Sequence, residues 1–518
     1  MANIIIVGAG VAGLTAGIYA QMHGHHATIY ERHSKAGGNL TGWDRHGYHI
    51  DNCIHWLTGT NPVTDFYQMW VDLGVLGEGI EVHQPENLYT YQDSQGRQLS
   101  LNKSIDQLKR DMLKASPEDK REIFGLIRAM RSVQRLQDMG GKECERRSNA
   151  LEKLLSAPDL VKYYKYSIGD LAKRFKSPLL SEFLLSFMPE QFSALALIMV
   201  FSTFTGKNGG IPKGVSCAMA DRMVERFLSL GGELHLKNGV QKIPVMGESA
   251  WEDMFWEELL LKKGLGKKKI PRQRVDSVTL DDGTEVFADY VIVTPDPLIA
   301  FTELMHPTLM PEKLFMQYIN RKMISFSATH CAFAYDGEDV GFTGDMVFEV
   351  PEQYRELLRS NYLMMREFSH EKSFAPAGKS IIQTMAYCLS DDAYSLIELY
   401  RDKSAYDKYK QSMARAVEEI ICERMPALKG KITCIDTWTP ATYHRFVGSA
   451  IGSFMSFVMP AGAVPSMLSG EIEGLENVVL ATQWQMAPGG LPIAATAGIN
   501  AIKLIDKKEK KNIEKRRA

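Results

Sequence analysis

The sequence has no surplus of positive charge, because its 60 Lys and Arg residues face 62 Asp and Glu residues and leave a net charge of −2. A basic face is the usual mark of a nucleic-acid-binding domain, so we expect no nucleic-acid partner. The seven cysteines show no CxxC spacing, which excludes the common zinc and dithiol motifs. The GxSxG and HExxH patterns of hydrolases and metalloproteases are also missing, so we expect no metal site.

Long runs without charge are few, and two of them are candidates for a membrane span: Phe446–Gly470 and Asn477–Ile502. Their length alone would suit a membrane span. Both are interrupted by glycine, proline and polar side chains, which favours buried core and pocket lining instead. The chain opens directly in an apolar strand without a basic leader segment, and we therefore expect a cytoplasmic location.

A glycine-rich turn at the start of the chain carries the clearest chemistry. The sequence Gly8-Ala9-Gly10-Val11-Ala12-Gly13 follows the apolar run Ile4–Val7 and opens a pattern typical of a helix. In such a turn the first glycine permits the tight bend, the second lets a pyrophosphate approach the backbone, and the third lets helix and strand pack closely. Glu31 ends the next strand, where an acid accepts hydrogen bonds from an unphosphorylated ribose. The turn therefore predicts a dinucleotide site.

Two further features favour FAD over NAD. A second glycine pair, Gly37-Gly38, precedes Asn39 and offers another close approach to a long cofactor. Near the other end, the strand Val478–Leu480 enters the Pro488-Gly489-Gly490 turn and then a helix beginning at Pro492. The positive end of that helix suits an electron-rich flavin edge. No second GxGxxG follows a strand, so no separate nicotinamide domain is expected.

Between these ends the pattern is helical from about 60 to 205, then turns at Gly209–Gly214 and leads to a predicted hairpin around Asp281-Asp282-Gly283. The segment Trp251–Arg274 resembles an insertion with a helical first half and a basic second half. It is interpreted as a solvated excursion, with contact to a membrane surface or a partner as the alternative. The tail 506–518 is expected to be a solvated, frayed helix end.

These motifs resemble the phytoene desaturase family of flavoproteins, which also includes carotenoid isomerases and retinol saturase. The resemblance covers nearly the whole chain. Its segments are Gly8–Gly13, Glu31, Gly37-Gly38, Asp51, Gly209–Gly214, Val240, Thr439–Gly448, Ala481–Trp484 and Pro488–Pro492. Val240 resembles the residue whose backbone meets the adenine, and Thr439–Gly448 resembles a late substrate-side loop.

The resemblance implies an α/β protein with a discontinuous Rossmann-type FAD-binding domain and a substrate domain of mixed sheet and helices over an apolar tunnel. The expected division is 1–60 (FAD), 61–205 (helical substrate part), 206–300 (FAD, with insertion 251–274), 301–445 (substrate sheet), 446–505 (pocket loop and last FAD segment) and 506–518 (charged tail). The residues assigned to FAD are Gly8, Gly10, Val11, Ala12, Gly13, Glu31, Arg32, Gly37, Gly38, Asn39, His55, Val240, Gln483, Leu491, Pro492 and Ile493.

The implied activity is oxidoreduction at carbon–carbon double bonds of an apolar, unsaturated small molecule such as a polyene, carotenoid, retinoid or fatty acid. Desaturases usually carry an acid at the position of Gln483. The amide in this chain resembles the saturase and isomerase branch of the family, and it argues against a simple desaturase. Two alternatives stay open: a flavin-dependent isomerase or hydratase without net redox change, and a lipid-binding flavoprotein without turnover.

Catalytic residues are not assigned by the sequence. His55 could face the flavin or serve as a hydrogen-bonded core histidine. The polar run Tyr443-His444-Arg445 could donate a proton or anchor a carboxylate. Five side chains could line an apolar tunnel, although plain core packing is the favoured interpretation: Phe454, Met455, Phe457, Met459 and Met467.

Overall fold

The structure, a computed structural model, describes residues 1–138, 158–245, 272–319, 324–463 and 466–517. A five-stranded parallel sheet forms around the first strand of the chain, and its strands come from three distant parts of the sequence. Their order across the sheet is Glu233–Leu236, His26–Glu31, Asn3–Val7, Tyr290–Val293 and Val478–Leu480. Strands that are buried on both faces read as continuous apolar runs, as Ile4 to Val7 does.

Two helices cover one face of this sheet at its centre. Val11–Met22 follows the first strand, and the long helix Leu491–Arg517 packs along it. The approach is close because Gly498 has no side chain: a Cβ there would lie 2.5 Å from the carbonyl oxygen of Ala12. The C-terminal helix is thereby fixed against the first helix, which brings both of their N-termini to the carboxyl edge of the sheet.

A seven-stranded mixed sheet forms the second layer of the protein. Its order is Ile432–Trp438, Phe326–Tyr335, Ser380–Leu389, Tyr362–Glu367, Asp345–Glu349, Asn87–Gln92 and Gln98–Asn102. Only the pair Asp345–Glu349 and Asn87–Gln92 runs parallel among these neighbours. A cluster of helical side chains packs on one face, and the helices Glu352–Leu358 and Lys403–Arg424 pack on the other.

The remaining strands form small sheets. Gly42–Arg45 pairs with Tyr48–Asp51; Leu57–Thr58 and Val82–His83 flank Gly209–Pro212; and Val240–Lys242, Ser277–Leu280 and Glu285–Phe287 form a three-stranded antiparallel unit. Besides the two helices at the first sheet, the α-helices are Asp65–Asp72, Ile105–Ala115, Lys120–Asp138, Pro158–Tyr164, Ile168–Ala172, Pro178–Leu185, Ala194–Thr205, Val215–Ser229, Pro297–Ile299, Glu312–Ile319, Glu352–Leu358, Ser390–Leu399, Lys403–Arg424 and Pro440–Val447. Shorter or wider helical turns occur at Pro117–Asp119, Ala300–Leu304, Pro307–Leu309, Lys372–Phe374, Pro426–Leu428 and Gln483–Gln485.

The predicted fold class is confirmed: a Rossmann-type parallel sheet is combined with a mixed sheet and helices. The predicted hairpin is also confirmed, with Ser277–Leu280 antiparallel to Glu285–Phe287. The described residues between 60 and 205 are mostly helical, but they also contribute the hairpin Asn87–Gln92 and Gln98–Asn102 to the large sheet. That hairpin was missed although Tyr89 and Tyr91 alternate with polar residues, the usual pattern of a strand.

Two local predictions were wrong. The expected loop Thr439–Gly448 contains the helix Pro440–Val447, which starts at a Thr439 cap with proline in its first turn and ends at Gly448 with φ +68°. The tail is a solvated helix end, as predicted, with Lys507, Lys510 and Lys511 exposed, but it is not frayed, because the C-terminal helix continues to Arg517 and its Glu509 accepts a hydrogen bond from Tyr290 at 2.9 Å. Most of the insertion Trp251–Arg274 lies outside the described residues.

Candidate functional site

One large cavity, here the central cavity, opens where the carboxyl ends of the parallel strands meet the mixed sheet. Its volume is about 1080 Å³. All the residues assigned to the cofactor from the sequence line it, except Gly13. The lining set is Gly8, Gly10, Val11, Ala12, Glu31, Arg32, Gly37, Gly38, Asn39, His55, Val240, Gln483, Leu491, Pro492 and Ile493. Ligands of open α/β sheets bind at this edge.

The three glycines of the first turn have different surroundings. Gly8 adopts φ +96°, and a Cβ at Gly13 would lie only 2.0 Å from the carbonyl oxygen of Gly8. Gly13 is therefore required by the packing of the helix on the turn. Gly10 is extended, with φ −73°, and the nearest protein atom to a Cβ there is Gly38 Cα at 4.0 Å. The protein itself does not require glycine at position 10, so the open space beside it fits an approaching ligand.

The first turn of the helix Val11–Met22 faces this open space. Gly10, Val11 and Ala12 line the cavity, and the N-terminus of a helix presents free N–H groups and a partial positive charge. Gly37 and Gly38 approach from the opposite side with φ +119° and +62°. Backbone N–H groups without bulky side chains are what a pyrophosphate needs, and this cradle fits one.

Glu31 lies at the end of the second strand and is 9% exposed. Its carboxylate accepts hydrogen bonds from the backbone N–H of Ala9 at 2.8 Å and of His33 at 2.9 Å, one on each oxygen. These bonds fix the carboxylate beside the glycine turn, and each oxygen keeps a second lone pair for a ribose hydroxyl. Arg32 and Val240 line the same end of the cavity.

Gln483 and Asn39 connect the two cofactor segments to one loop. The Gln483 side chain accepts from Gly490 N–H at 2.8 Å and donates to the carbonyl of Phe454 at 3.3 Å. Asn39 Nδ2 donates to the same carbonyl at 3.2 Å, and its Oδ1 is buried without a partner. Gln483 therefore stabilises the turn before the C-terminal helix, while the unpaired Asn39 oxygen fits a hydrogen-bond donor of a cofactor.

The other end of the central cavity is apolar and lies over the large sheet. Phe454 and Met455 line it as predicted, whereas Phe457 and Met459 are core residues and Met467 does not line the cavity. The sequence did not identify four further residues of this apolar end: Trp56, Met199, Val200 and Met385. They come from a loop, a helix and a strand far apart in the chain, so no local motif marks them.

His55 lies between the two ends of the cavity and contacts a buried ion pair formed by Asp345 and Arg366. Arg366 donates from Nε and Nη2 to both oxygens of Asp345 at 2.6 Å and from Nη1 to the carbonyl of Ile54 at 2.7 Å. Its Nη2 also contacts Nδ1 of His55. Burial disfavours the charge on Asp345, but the nearby Arg366 guanidinium outweighs it and holds the pKa of the carboxyl at about 2. Burial lowers the pKa of His55 most, and the positive charge of Arg366 is the next largest cause.

The run Tyr443-His444-Arg445 does not form one cluster. Tyr443 is buried, and its hydroxyl donates to Asn52 Oδ1 at 3.1 Å and contacts His330 Nε2 at 3.0 Å. His444 bonds the carbonyl of Ser449, and Arg445 points away to donate to the Tyr400 hydroxyl. Tyr443 is the member of the run that lines the cavity.

His330 is a neutral partner of Tyr443. Its ring stacks on Trp438 with centroids 4.6 Å apart, and burial lowers the pKa of His330 to about 3. Within the described ranges, no three His, Cys, Asp or Glu side chains are arranged to hold a metal ion. The same part of the chain contains no helix with the length and apolar character needed to cross a membrane.

Residues 11–501 match the profile of the family described as flavin containing amine oxidoreductase. The chain is 21% identical to the inactive all-trans-retinol 13,14-reductase of Danio rerio over 85% of this chain and 75% of that protein. It is 21% identical to the chloroplastic prolycopene isomerase of Arabidopsis thaliana over 90% and 76%, and 22% identical to the neurosporene-forming phytoene desaturase of Rhodobacter capsulatus over 96% and 93%.

Solved structures share the fold at low identity. An oxidoreductase from Methanosarcina mazei superposes with a TM-score of 0.60 at 15% identity, covering 97% of this chain and 100% of that one. Putrescine oxidase bound to putrescine superposes with a TM-score of 0.55 at 14% identity, covering 98% and 99%. At this identity the likeness establishes the architecture alone.

Proposed function

Because this chain belongs to the flavin containing amine oxidoreductase family, we propose that it transfers hydride between FAD and a carbon–carbon double bond of an apolar, unsaturated small molecule. As a member of this family the chain is an FAD-dependent oxidoreductase. The assignment of the individual residues to FAD and of the substrate to the apolar end of the cavity belongs to the proposal.

One observation supports the proposal most directly: the central cavity is continuous from the glycine cradle to an apolar wall. Gly10 and Glu31 line one end, and Met199, Val200 and Met385 line the other. A cavity of about 1080 Å³ has room for an extended cofactor together with a substrate. The relatives named as retinol reductase, prolycopene isomerase and phytoene desaturase carry the names of polyene substrates.

The residues of the chain have separate tasks in this proposal. Gly10 and the helix that follows it bind the pyrophosphate, and Glu31 accepts hydrogen bonds from the ribose. The helix beginning at Leu491 directs its positive end toward the flavin edge that becomes electron-rich on reduction. When bound, FAD supplies the hydride chemistry. The apolar side chains orient the double bond and exclude water from it.

A flavin-dependent isomerase or hydratase without net redox change is the second candidate. Gln483 favours this candidate, because the carboxylate usual in desaturases is replaced by an amide. Both ends of that amide are engaged in hydrogen bonds with the backbone of Gly490 and Phe454. Binding of a lipid without turnover is the third candidate, and the word "inactive" in the name of the Danio rerio relative supports it.

Anaerobic reduction of the FAD-loaded protein distinguishes these candidates. After stoichiometric reduction, we expect a conjugated polyene or an unsaturated fatty acid to reoxidise the flavin and gain two hydrogens, seen by absorbance and by product mass. A product of unchanged mass would indicate isomerisation, and a gain of water would indicate hydration. An unchanged flavin and unchanged ligands would contradict reduction, isomerisation and hydration of these ligands and would favour binding without turnover.

A cavity-filling variant gives the matched control for that experiment. Val200→Trp places a large side chain into the apolar end, and we expect it to retain FAD while losing reoxidation by the substrate. Leu228→Trp makes the same kind of change at a residue that is 48% exposed on another helix, and it should behave as wild type. Equal activity of both variants would contradict the placement of the substrate.

We also propose a cytoplasmic location with peripheral contact to a membrane through the basic half of the segment 251–274. The support is chemical: the segment combines lysine and arginine with aromatic residues, and an apolar substrate resides in lipid. We expect the protein to sediment with vesicles containing anionic lipid at low salt and to be released at about 1 M salt, where screening is short-ranged. Equal binding to neutral vesicles would contradict the electrostatic contact.

A further inference from the structure

At the apolar end of the central cavity, two polar side chains have no hydrogen-bond partner among the described residues for the atom that can reach a ligand. They are the hydroxyl of Tyr387 and Nε2 of His55. Other polar side chains of this end are engaged within the protein: Thr58, Thr203, Ser453 and Tyr443. The bonded side chains therefore stabilise the cavity wall, whereas the Tyr387 hydroxyl and His55 Nε2 are available to a ligand inside the cavity.

Tyr387 lies on the strand Ser380–Leu389, two residues beyond Met385, so both side chains point to the same face of the sheet. Both line the cavity. The ring packs edge-on against Phe326, with centroids 5.8 Å apart and planes at 70°, which fixes its direction. Among the residues that the structure describes, no atom accepts a hydrogen bond from its hydroxyl. Burial raises the pKa of Tyr387, so the hydroxyl keeps its proton and is a donor.

His55 is oriented by the buried ion pair. Nδ1 of His55 lies 3.3 Å from Oδ2 of Asp345 and contacts Nη2 of Arg366 more closely. Because a guanidinium has donors but no acceptor, and both oxygens of Asp345 already accept from Arg366, Nδ1 accepts from Arg366. The neutral ring then carries its proton on Nε2, the atom across the ring. The side chain is 28% exposed and lines the cavity, and no protein partner of Nε2 occurs in the described part of the chain. His55 is thus a second donor.

Both donors lie on the same part of the cavity wall. Met385, which neighbours Tyr387 on the same face of its strand, borders a small pocket together with His55 and Arg366. Both oxygens of Asp345 already accept hydrogen bonds from Arg366, so Asp345 does not serve as the acceptor for Tyr387 or His55. A donor left without an acceptor in an apolar site is costly, and a ligand that lacks a matching acceptor would leave both unpaired.

We propose that Tyr387 and His55 bind an oxygen atom of the substrate, so that the site selects an unsaturated molecule bearing a hydroxyl, carbonyl or carboxyl group over a hydrocarbon of the same skeleton. This inference rests on the proposed function, because it assumes that the apolar end holds the substrate. It narrows the substrate class from polyenes in general to oxygen-bearing ones.

The test compares two ligands that differ by one oxygen: all-trans-retinol and the hydrocarbon in which its hydroxyl is replaced by hydrogen. Binding to the FAD-loaded protein is titrated through the perturbation of the flavin absorbance, which requires no turnover. We expect the alcohol to bind at least about 10-fold more tightly than the hydrocarbon. Tyr387→Phe should weaken binding of the alcohol about 10-fold and leave binding of the hydrocarbon unchanged.

Tyr335→Phe is the matched control, because its hydroxyl donates to the carbonyl of Asp339 in another part of the same sheet. It should bind both ligands as wild type does. Equal affinity for the two ligands, with no effect of Tyr387→Phe, would overturn the inference while leaving the proposed function standing. Absence of binding for both ligands would overturn the inference and the proposed function together.

Discussion

Gly10→Ala is expected to weaken FAD binding by about 10- to 100-fold while leaving the fold intact, whereas Gly13→Ala is expected to destabilise the fold itself. The two variants add the same methyl group to the same motif. At Gly10 the new Cβ would have 4.0 Å to the nearest protein atom, so only a ligand would meet it. Displacing the pyrophosphate from the backbone would cost one charge-assisted hydrogen bond, worth about 1.5–3 kcal/mol.

At Gly13 the same methyl group would lie 2.0 Å from the carbonyl oxygen of Gly8, which is far too close for two non-bonded heavy atoms. The helix would have to move off the strand, at a cost of about 1–3 kcal/mol or more. Fluorescence titration with FAD and thermal unfolding of the apoprotein separate the two effects. Wild-type FAD affinity in a folded Gly10→Ala protein would show that no pyrophosphate lies over position 10.

Arg366→Met is expected to lower the free energy of unfolding by about 3–5 kcal/mol, because it leaves the buried carboxylate of Asp345 without its partner. Arg366 is 9% exposed and Asp345 is 3% exposed, so water cannot replace the lost bonds. The double variant Asp345→Leu/Arg366→Met removes both charges and should recover much of that loss. Urea denaturation of the three variants and wild type gives the coupling between the two residues.

Arg97→Met is the control for the ion pair. Arg97 binds Asp93 at 2.7 Å, but the arginine side chain is 54% exposed, and Asp93 keeps the backbone N–H groups of Gln95 and Arg97 as donors when the guanidinium is removed, so we expect a loss of about 1 kcal/mol or less. If Arg366→Met were as mild as this control, the Asp345–Arg366 pair would not be buried in solution.

The pH dependence of this pair has a definite sign. The pKa of Asp345 is held at about 2, below its ordinary value of 3.8, so the folded state binds its proton less readily than the unfolded state. The resulting stabilisation, on the order of 2 kcal/mol, is fully present above pH 4 and is lost as the pH falls toward 2. In Arg366→Met the carboxylate is buried without a counter-charge, so this loss on acidification should disappear or reverse.

The residues proposed to bind the cofactor could be predicted from local chemistry. A tight turn after a strand requires glycine, a close phosphate requires the absence of a side chain, and a ribose requires an acid after the second strand, so Gly8, Gly10 and Glu31 could be recognised in the sequence. The structure adds a distinction within that motif: Gly13 serves packing, and Gly10 faces the open cradle. The glutamine at position 483 also proved to be a brace for the last turn.

The apolar end could not be predicted in the same way. Met199, Met385 and Tyr387 carry no signature of their own, since apolar residues on a helix or a strand occur equally in a closed core. Phe457 and Met459 illustrate the difficulty, because their sequence context matches that of Phe454 and Met455 and yet they are packed in the core. Which of these side chains borders open space depends on how the elements meet.

By itself the sequence predicted a dinucleotide site at the first βαβ unit, because the requirements of a phosphate and a ribose are met by residues close together in the chain. Only the tertiary structure decided which side chains border the rest of the cavity that contains this predicted site. The Asp345–Arg366 pair and His55 are separated by nearly 300 positions and meet because the seven-stranded sheet packs against the loop after Asp51. Long-range packing leaves no local pattern, so the polar donors of the apolar end emerge only when the chain is folded.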